Sequence, residues 1–106
     1  MFDIDEEELE GFVDAGIELI DSKCANPIWR TLLKRQVDIS DCQDCILGQI
    51  YGYYADGLER LHIADPRIFG FSPDSRMREG ELPSVRHDRI VETVNLLTNI
   101  WERKLS

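Results

Sequence analysis

The sequence predicts an all-α fold: a compact bundle of about four helices over residues 5–23, 27–36, 41–62 and 85–104, with a long loop at 63–83. Three observations carry this. Apolar residues recur at spacings of three and four through three long segments. Helix-start signals precede segments of the chain at Asn26-Pro27, Ser40 and Ser84. No stretch shows the strict alternation of a half-buried strand, and no internal repeat or low-complexity tract is present. A chain of 106 residues suits one domain, 1–106, with a single modest core.

The first helix follows from Leu9, Phe12, Val13, Gly16, Ile17 and Ile20, an apolar stripe over residues 5–23. Its acids lie mostly off that stripe and crowd the first turns, where the helix dipole favours negative charge. Asn26-Pro27 reads as N-cap and first helical residue of the second helix, with Trp29, Leu32 and Leu33 facing inward. Val37 and Ile39 form a short extended link. Ser40 and Gln43 then match a capping box that opens the third helix. Its stripe is Leu47, Ile50, Tyr54, Leu58 and Leu61, with Ile46 and Tyr53 beside it. Gly48 and Gly52 cost about 1 kcal/mol each in a helix, which is tolerable if a neighbouring helix packs on the bare backbone. Gly57 is a further weak point where the helix bends or ends.

Pro66, Gly70, Pro73, Gly80 and Pro83 mark the long loop. Ile68, Phe69 and Phe71 are apolar enough to pin its start to the core, and residues 72–82 are the best candidate for disorder. Ser84 caps the last helix, whose inward stripe is Ile90, Val91, Val94, Leu97, Trp101 and Leu105, with Arg103 and Lys104 suited to its C-terminal end.

The net charge of −9 is laid out unevenly. Asp3, Asp5, Glu6, Glu7, Glu8, Glu10, Asp14, Glu18 and Asp21 fall within residues 1–21, which hold no Lys or Arg; the remaining acids and bases cancel. Such a field repels nucleic acid and attracts basic surfaces. It reads either as a solvated helix face or as a docking face built on Glu6, Glu7, Glu8, Glu10 and Asp14. No apolar run approaches a membrane span, and the acidic start is the opposite of a secretory signal, so no membrane partner is expected. Three cysteines do not close a disulfide framework, which places the protein in a reducing cytoplasm.

Cys42 and Cys45 form a Cys-x-x-Cys pair at the start of the third helix, and their sulfurs can meet a metal, each other or the core. As core residues they need no cofactor. As metal ligands they would be completed by Cys24 and His87 around zinc. His62 is excluded if the third helix is continuous, because it then lies about 25 Å from Cys45. As a redox pair they lack the βαβ context of thioredoxin-like proteins, and Asp41 and Asp44 oppose thiolate formation. Tyr51, Tyr53 and Tyr54 read as core and boundary residues. Arg60, Arg67, Arg76, Arg78, Arg86 and Arg89 read as solvent-facing partners of the protein's own acids. No phosphate loop, H-E-x-x-H or G-x-S-x-G is present, so no enzymatic activity is expected.

The block Ser40-Asp41-Cys42-Gln43-Asp44-Cys45-Ile46-Leu47-Gly48-Gln49-Ile50-Tyr51-Gly52 resembles one in small uncharacterised proteins of actinobacteria and their phages. There a Cys-x-x-Cys-hydrophobic-Leu-Gly-Gln-hydrophobic-Tyr/Phe-Gly run follows an acidic N-terminal helix. Ile68-Phe69-Gly70-Phe71 and Leu97-Thr98-Asn99-Ile100-Trp101 resemble its later aromatic-Gly-Phe and Leu-Thr-x-x-Trp elements. The resemblance implies a phage or prophage origin and no specific function. The residues point first to a non-enzymatic acidic interaction module that binds a basic host protein, in one form as a nucleic-acid mimic or an inhibitor of a host defence protein. Second comes a small metal-binding or thiol protein built on Cys42 and Cys45. Third comes a homodimer formed through the face around Gly48 and Gly52.

Overall fold

The computed structural model describes residues 4–106, so Asp3 lies outside the described residues. All regular elements among them are helical: α1 (Glu6–Lys23), α2 (Ile46–Tyr51), α3 (Tyr54–Arg60) and α4 (Pro83–Leu105), with 3-10 turns at Trp29–Leu32 and Pro66–Phe69. At about 1.5 Å per residue α4 is about 35 Å long, in a molecule whose longest extent is 44 Å.

Helix α1 matches its expected span to within a residue. The Asp5 carboxylate accepts from the Glu8 N–H at 3.2 Å, and the Cys24 N–H closes the last turn on the Ile20 carbonyl at 2.8 Å. Val13, Gly16 and Ile20 are buried, while Leu9, Phe12 and Ile17 flank them half-buried. Each fully buried aliphatic side chain contributes about 1.5–3 kcal/mol. Gly16 is where α1 meets both α4 and the 66–69 turn: a Cβ there would run into the Phe69 carbonyl and lie 3.1 Å from the Trp101 ring.

Helix α4 begins earlier than expected. Pro83 is its first residue and Leu82 its cap, so Ser84 lies inside the helix. The fixed φ of proline pre-organises a first turn, and its missing N–H would be an orphan there anyway. Leu97, Ile100 and Trp101 are buried. The N-terminal half departs from the expected stripe: Val91 is 45% exposed, whereas Arg89 is 2% exposed and Thr93 is buried.

The second expected helix, 27–36, shrinks to the Trp29–Leu32 turn. The Asn26 side chain accepts from the Ile28 N–H at 2.9 Å, which makes an Asx turn rather than an α-helical cap. Trp29 is then tied back to α1, its indole N–H donating to the Asp21 carboxylate at 2.8 Å. Val37 and Ile39 follow as buried residues, but Ile39 sits in a turn closed by the Asp41 N–H on the Asp38 carbonyl at 3.1 Å rather than in an extended link.

The expected 41–62 helix is two short helices. Ser40 caps nothing; its N–H and hydroxyl both donate to the Asp38 carboxylate, at 3.0 and 2.6 Å. Residues 41–45 form a separate turn, closed by the Cys45 N–H on the Asp41 carbonyl at 3.0 Å. Helix α2 ends at Gly52, whose φ of 94° favours glycine, and α3 starts two residues later. Among the described residues no neighbouring helix packs on Gly48 or Gly52. Gly48 lies against the backbone of Cys42 and Gln43, and Gly52 faces open space. The helix–helix close approach belongs to Gly57, where a Cβ would lie 2.7 Å from that of Leu47.

Within the long loop Phe71 is buried and stacks on Trp101 with ring centroids 5.5 Å apart, Phe69 is half-buried, and Ile68 is 40% exposed. Of the three expected anchors, the two phenylalanines hold. Residues 72–82, the expected disordered stretch, instead wrap Arg89. Its guanidinium donates to the Glu81 carboxylate at 2.8 and 3.1 Å, to the Asp74 carbonyl at 2.9 Å and to the Arg76 carbonyl at 2.8 Å. Arg86 adds a bond to the Ser75 carbonyl.

Candidate interaction surface and cysteine turn

The acidic helix divides into carboxylates that the fold uses and carboxylates it does not. Glu10 lies 3.0 Å from Lys104 and 3.6 Å from Arg103, and Asp14 lies 3.2 Å from Lys104. These pairs tie α1 to the C-terminal turn of α4. Lys104 donates to Glu10 and to Asp14, and these hydrogen bonds, Glu10 first, raise its pKa above the usual lysine range. Asp21 is held by the Trp29 indole and by Arg30, which lower its pKa. Asp5 serves as the cap. By contrast Glu6, Glu7, Glu8 and Glu18 are exposed and form no ion pair among the described residues. Of the five expected docking residues, Glu10 and Asp14 are therefore engaged within the molecule, and Glu6, Glu7 and Glu8 are free.

In comparisons with known proteins, no family model, no curated protein and no solved structure matches this chain.

The Cys-x-x-Cys turn caps both short helices. The Cys45 thiol accepts from the Gly48 N–H at 3.2 Å and so caps α2. The Cys42 carbonyl accepts from the Tyr54 N–H at 2.9 Å, at the start of α3. The Asp41 carboxylate holds the turn from inside, accepting from the Gln43 and Asp44 N–H groups at 2.7 and 3.0 Å; these bonds lower its pKa. Arg35 clamps the outside, donating to the Gln43 carbonyl at 2.9 Å and pairing with Asp44 at 2.8 Å. Gln49 completes the frame with bonds to Arg35 and to the Asp44 carbonyl.

The two thiols differ. Cys45 is buried in the core, while Cys42 is exposed, so the description of both as core residues holds for Cys45 alone. Burial pushes the Cys45 thiol pKa up, and the Gly48 N–H opposes this only in part. A helix-start position therefore does not make Cys45 a ready thiolate. Cys24 is half-buried beside Tyr51, whose hydroxyl pKa is raised to about 12 by burial first and by Cys24 second. His87 is exposed on the first turns of α4. Among the described residues no group of three or more His, Cys, Asp or Glu side chains gathers where a metal ion could be held, so Cys24, Cys42, Cys45 and His87 are not assembled as a set. No described helix is long and apolar enough to cross a membrane.

Sequence reasoning missed the Arg89–Glu81 pair. A signal existed: Arg89, Thr93 and Leu97 stand four residues apart and continue the buried stripe of α4. Of the other arginines, Arg76 fits the expected role, exposed and paired with Asp74; Arg67 is half-buried between Asp65 and Asp74, and Arg60, Arg78 and Arg86 form no ion pair among the described residues.

Proposed function

We propose that this chain is a non-enzymatic, acidic interaction module that docks on a basic protein surface through the N-terminal turns of α1. The observation that supports it is the division of carboxylates just described. Glu6, Glu7 and Glu8 stand exposed in consecutive positions without ion pairs among the described residues, while Glu10, Asp14 and Asp21 are already engaged. A free carboxylate patch on a chain of net charge −9 raises the local concentration of cationic surfaces and speeds encounter. A protein mimic of nucleic acid aimed at a host defence protein is one form of this function, and the resemblance to actinobacterial and phage proteins supplies that setting. Three free cysteines suit a reducing cytoplasm.

The test is a triple Glu6→Gln, Glu7→Gln, Glu8→Gln variant beside wild type, with a binding partner captured from the native host. Association rate is measured against ionic strength. The variant is expected to associate about tenfold more slowly, with a flatter salt dependence, and to keep its melting temperature. Identical rates and salt slopes would make these acids a solvated surface only.

A further inference from the structure

The turn at residues 41–45 carries a second chemistry, independent of the acidic face. It presents one accessible thiol and one enclosed thiol three residues apart. The i to i+4 bond from the Cys45 N–H to the Asp41 carbonyl makes this stretch a single α-type turn. On an α-helix, the Cβ atoms of residues three apart lie about 5–6 Å from each other, and this one-turn stretch is taken to be close to that spacing. A disulfide needs about 3.5–4.5 Å. Closing Cys42 onto Cys45 thus asks for a tightening of about 1–2 Å within one turn. The Cys45 thiol lies 3.9 Å from the Cys42 carbonyl oxygen and 3.2 Å from the Gly48 N–H, so closure asks it to turn from Gly48 back toward Cys42. The flanking acids are both occupied: Asp41 accepts two backbone N–H groups, and Asp44 pairs with Arg35 at 2.8 Å.

We infer that Cys42 and Cys45 form a thiol–disulfide exchange site that takes small disulfides of the glutathione disulfide class. The division of labour follows from exposure. Cys42, which is exposed, attacks first as thiolate; a bond forms between its sulfur and one glutathione sulfur, the glutathione S–S bond breaks, and the first glutathione thiolate leaves. Cys45, which is 2% exposed, is screened from the incoming molecule but not from its neighbour in the turn. The Cys45 thiol, which burial makes slow to ionise, gives up its proton and attacks the Cys42 sulfur, the mixed disulfide breaks, and a second glutathione thiolate leaves. The protein dithiol loses two electrons and two protons. Glutathione disulfide gains the electrons and, once protonated, becomes two thiols. In closing, the Cys45 sulfur leaves the Gly48 N–H that it caps.

The test uses the full chain in graded mixtures of glutathione and glutathione disulfide, followed by acid quenching, alkylation, trypsin digestion and mass spectrometry. Cleavage after Arg35 and Arg60 isolates residues 36–60, which contain Cys42 and Cys45 but not Cys24. The expected result is a 36–60 peptide lighter by two hydrogen atoms, its fraction rising with the ratio of glutathione disulfide to the square of glutathione. A Cys45→Ser variant is expected to stop at a glutathione adduct on Cys42. Two results in the wild-type chain would overturn the inference: a 36–60 peptide that stays reduced in the most oxidising mixture, or one that carries glutathione on Cys42 without ever closing the internal disulfide. Neither depends on a variant folding.

Discussion

The two halves of α4 are held by opposite kinds of chemistry. The C-terminal half is an apolar lock. Trp101 is fully buried, stacks on Phe71, donates its indole N–H to the Gly70 carbonyl at 2.7 Å and covers the bare backbone of Gly16. The N-terminal half is a polar lock, in which Arg89 is as buried as many core residues and satisfies Glu81 and two carbonyls of the loop. The apolar lock gains from surface removed from water. The polar one is a desolvated ion pair, whose attraction is largely offset by the cost of stripping water from both charges. Its value is specificity: one side chain fixes the path of residues 72–82, a stretch with little apolar material of its own.

The sharpest break of this comparison is Trp101→Ala. Emptying the centre of the apolar lock and orphaning the Gly70 carbonyl should cost about 3–5 kcal/mol in denaturant unfolding. A loss below about 1 kcal/mol would show that the two ends of α4 are held alike.

Arg89→Leu comes next, at about 3 kcal/mol, because it leaves Glu81 and two loop carbonyls unpaired. It should also release residues 72–82 to proteolysis. The pH dependence sharpens the assignment. The Arg89 guanidinium holds the Glu81 carboxyl down to about 2, from an ordinary value of 4.5. A depressed acid contributes stability that is full above about 4.5 and is lost as pH falls through that value toward about 2. Wild type should therefore lose stability across this acid window more steeply than Arg89→Leu. Matching acid limbs in the two proteins would remove the ion pair from the account.

The smallest expected effect is at Val91. It belongs to the apolar stripe read from the sequence, yet it is 45% exposed. Val91→Lys should change stability by no more than about 0.5 kcal/mol. A core-sized loss would mean that α4 is rotated toward the stripe the sequence suggests.

The candidate site was legible in part. Local charge density marked Glu6, Glu7 and Glu8, since a run of like charge stays visible whatever the fold does with it. The engagement of Glu10 and Asp14 was not legible, because it depends on Lys104 and Arg103 at the far end of the chain reaching α1. The Cys-x-x-Cys spacing was plain, but spacing says nothing of which thiol faces water. Gly48 and Gly52 looked alike and proved different: one accommodates the backbone of the cysteine turn, and the other supplies a positive φ.

The sequence by itself determined the all-helical class, the span of α1, most of α4 and the anchoring of the long loop by Phe69 and Phe71. These rest on local periodicity and on side chains too apolar to leave in water. Only the tertiary structure decided where the middle of the chain breaks and which polar residues go inside. Short helices such as α2 and α3 lack intrinsic stability, so their ends are set by what packs against them. An arginine enters a core only when its partners converge from elsewhere, and Arg89 meets them in a loop 8 to 15 residues away.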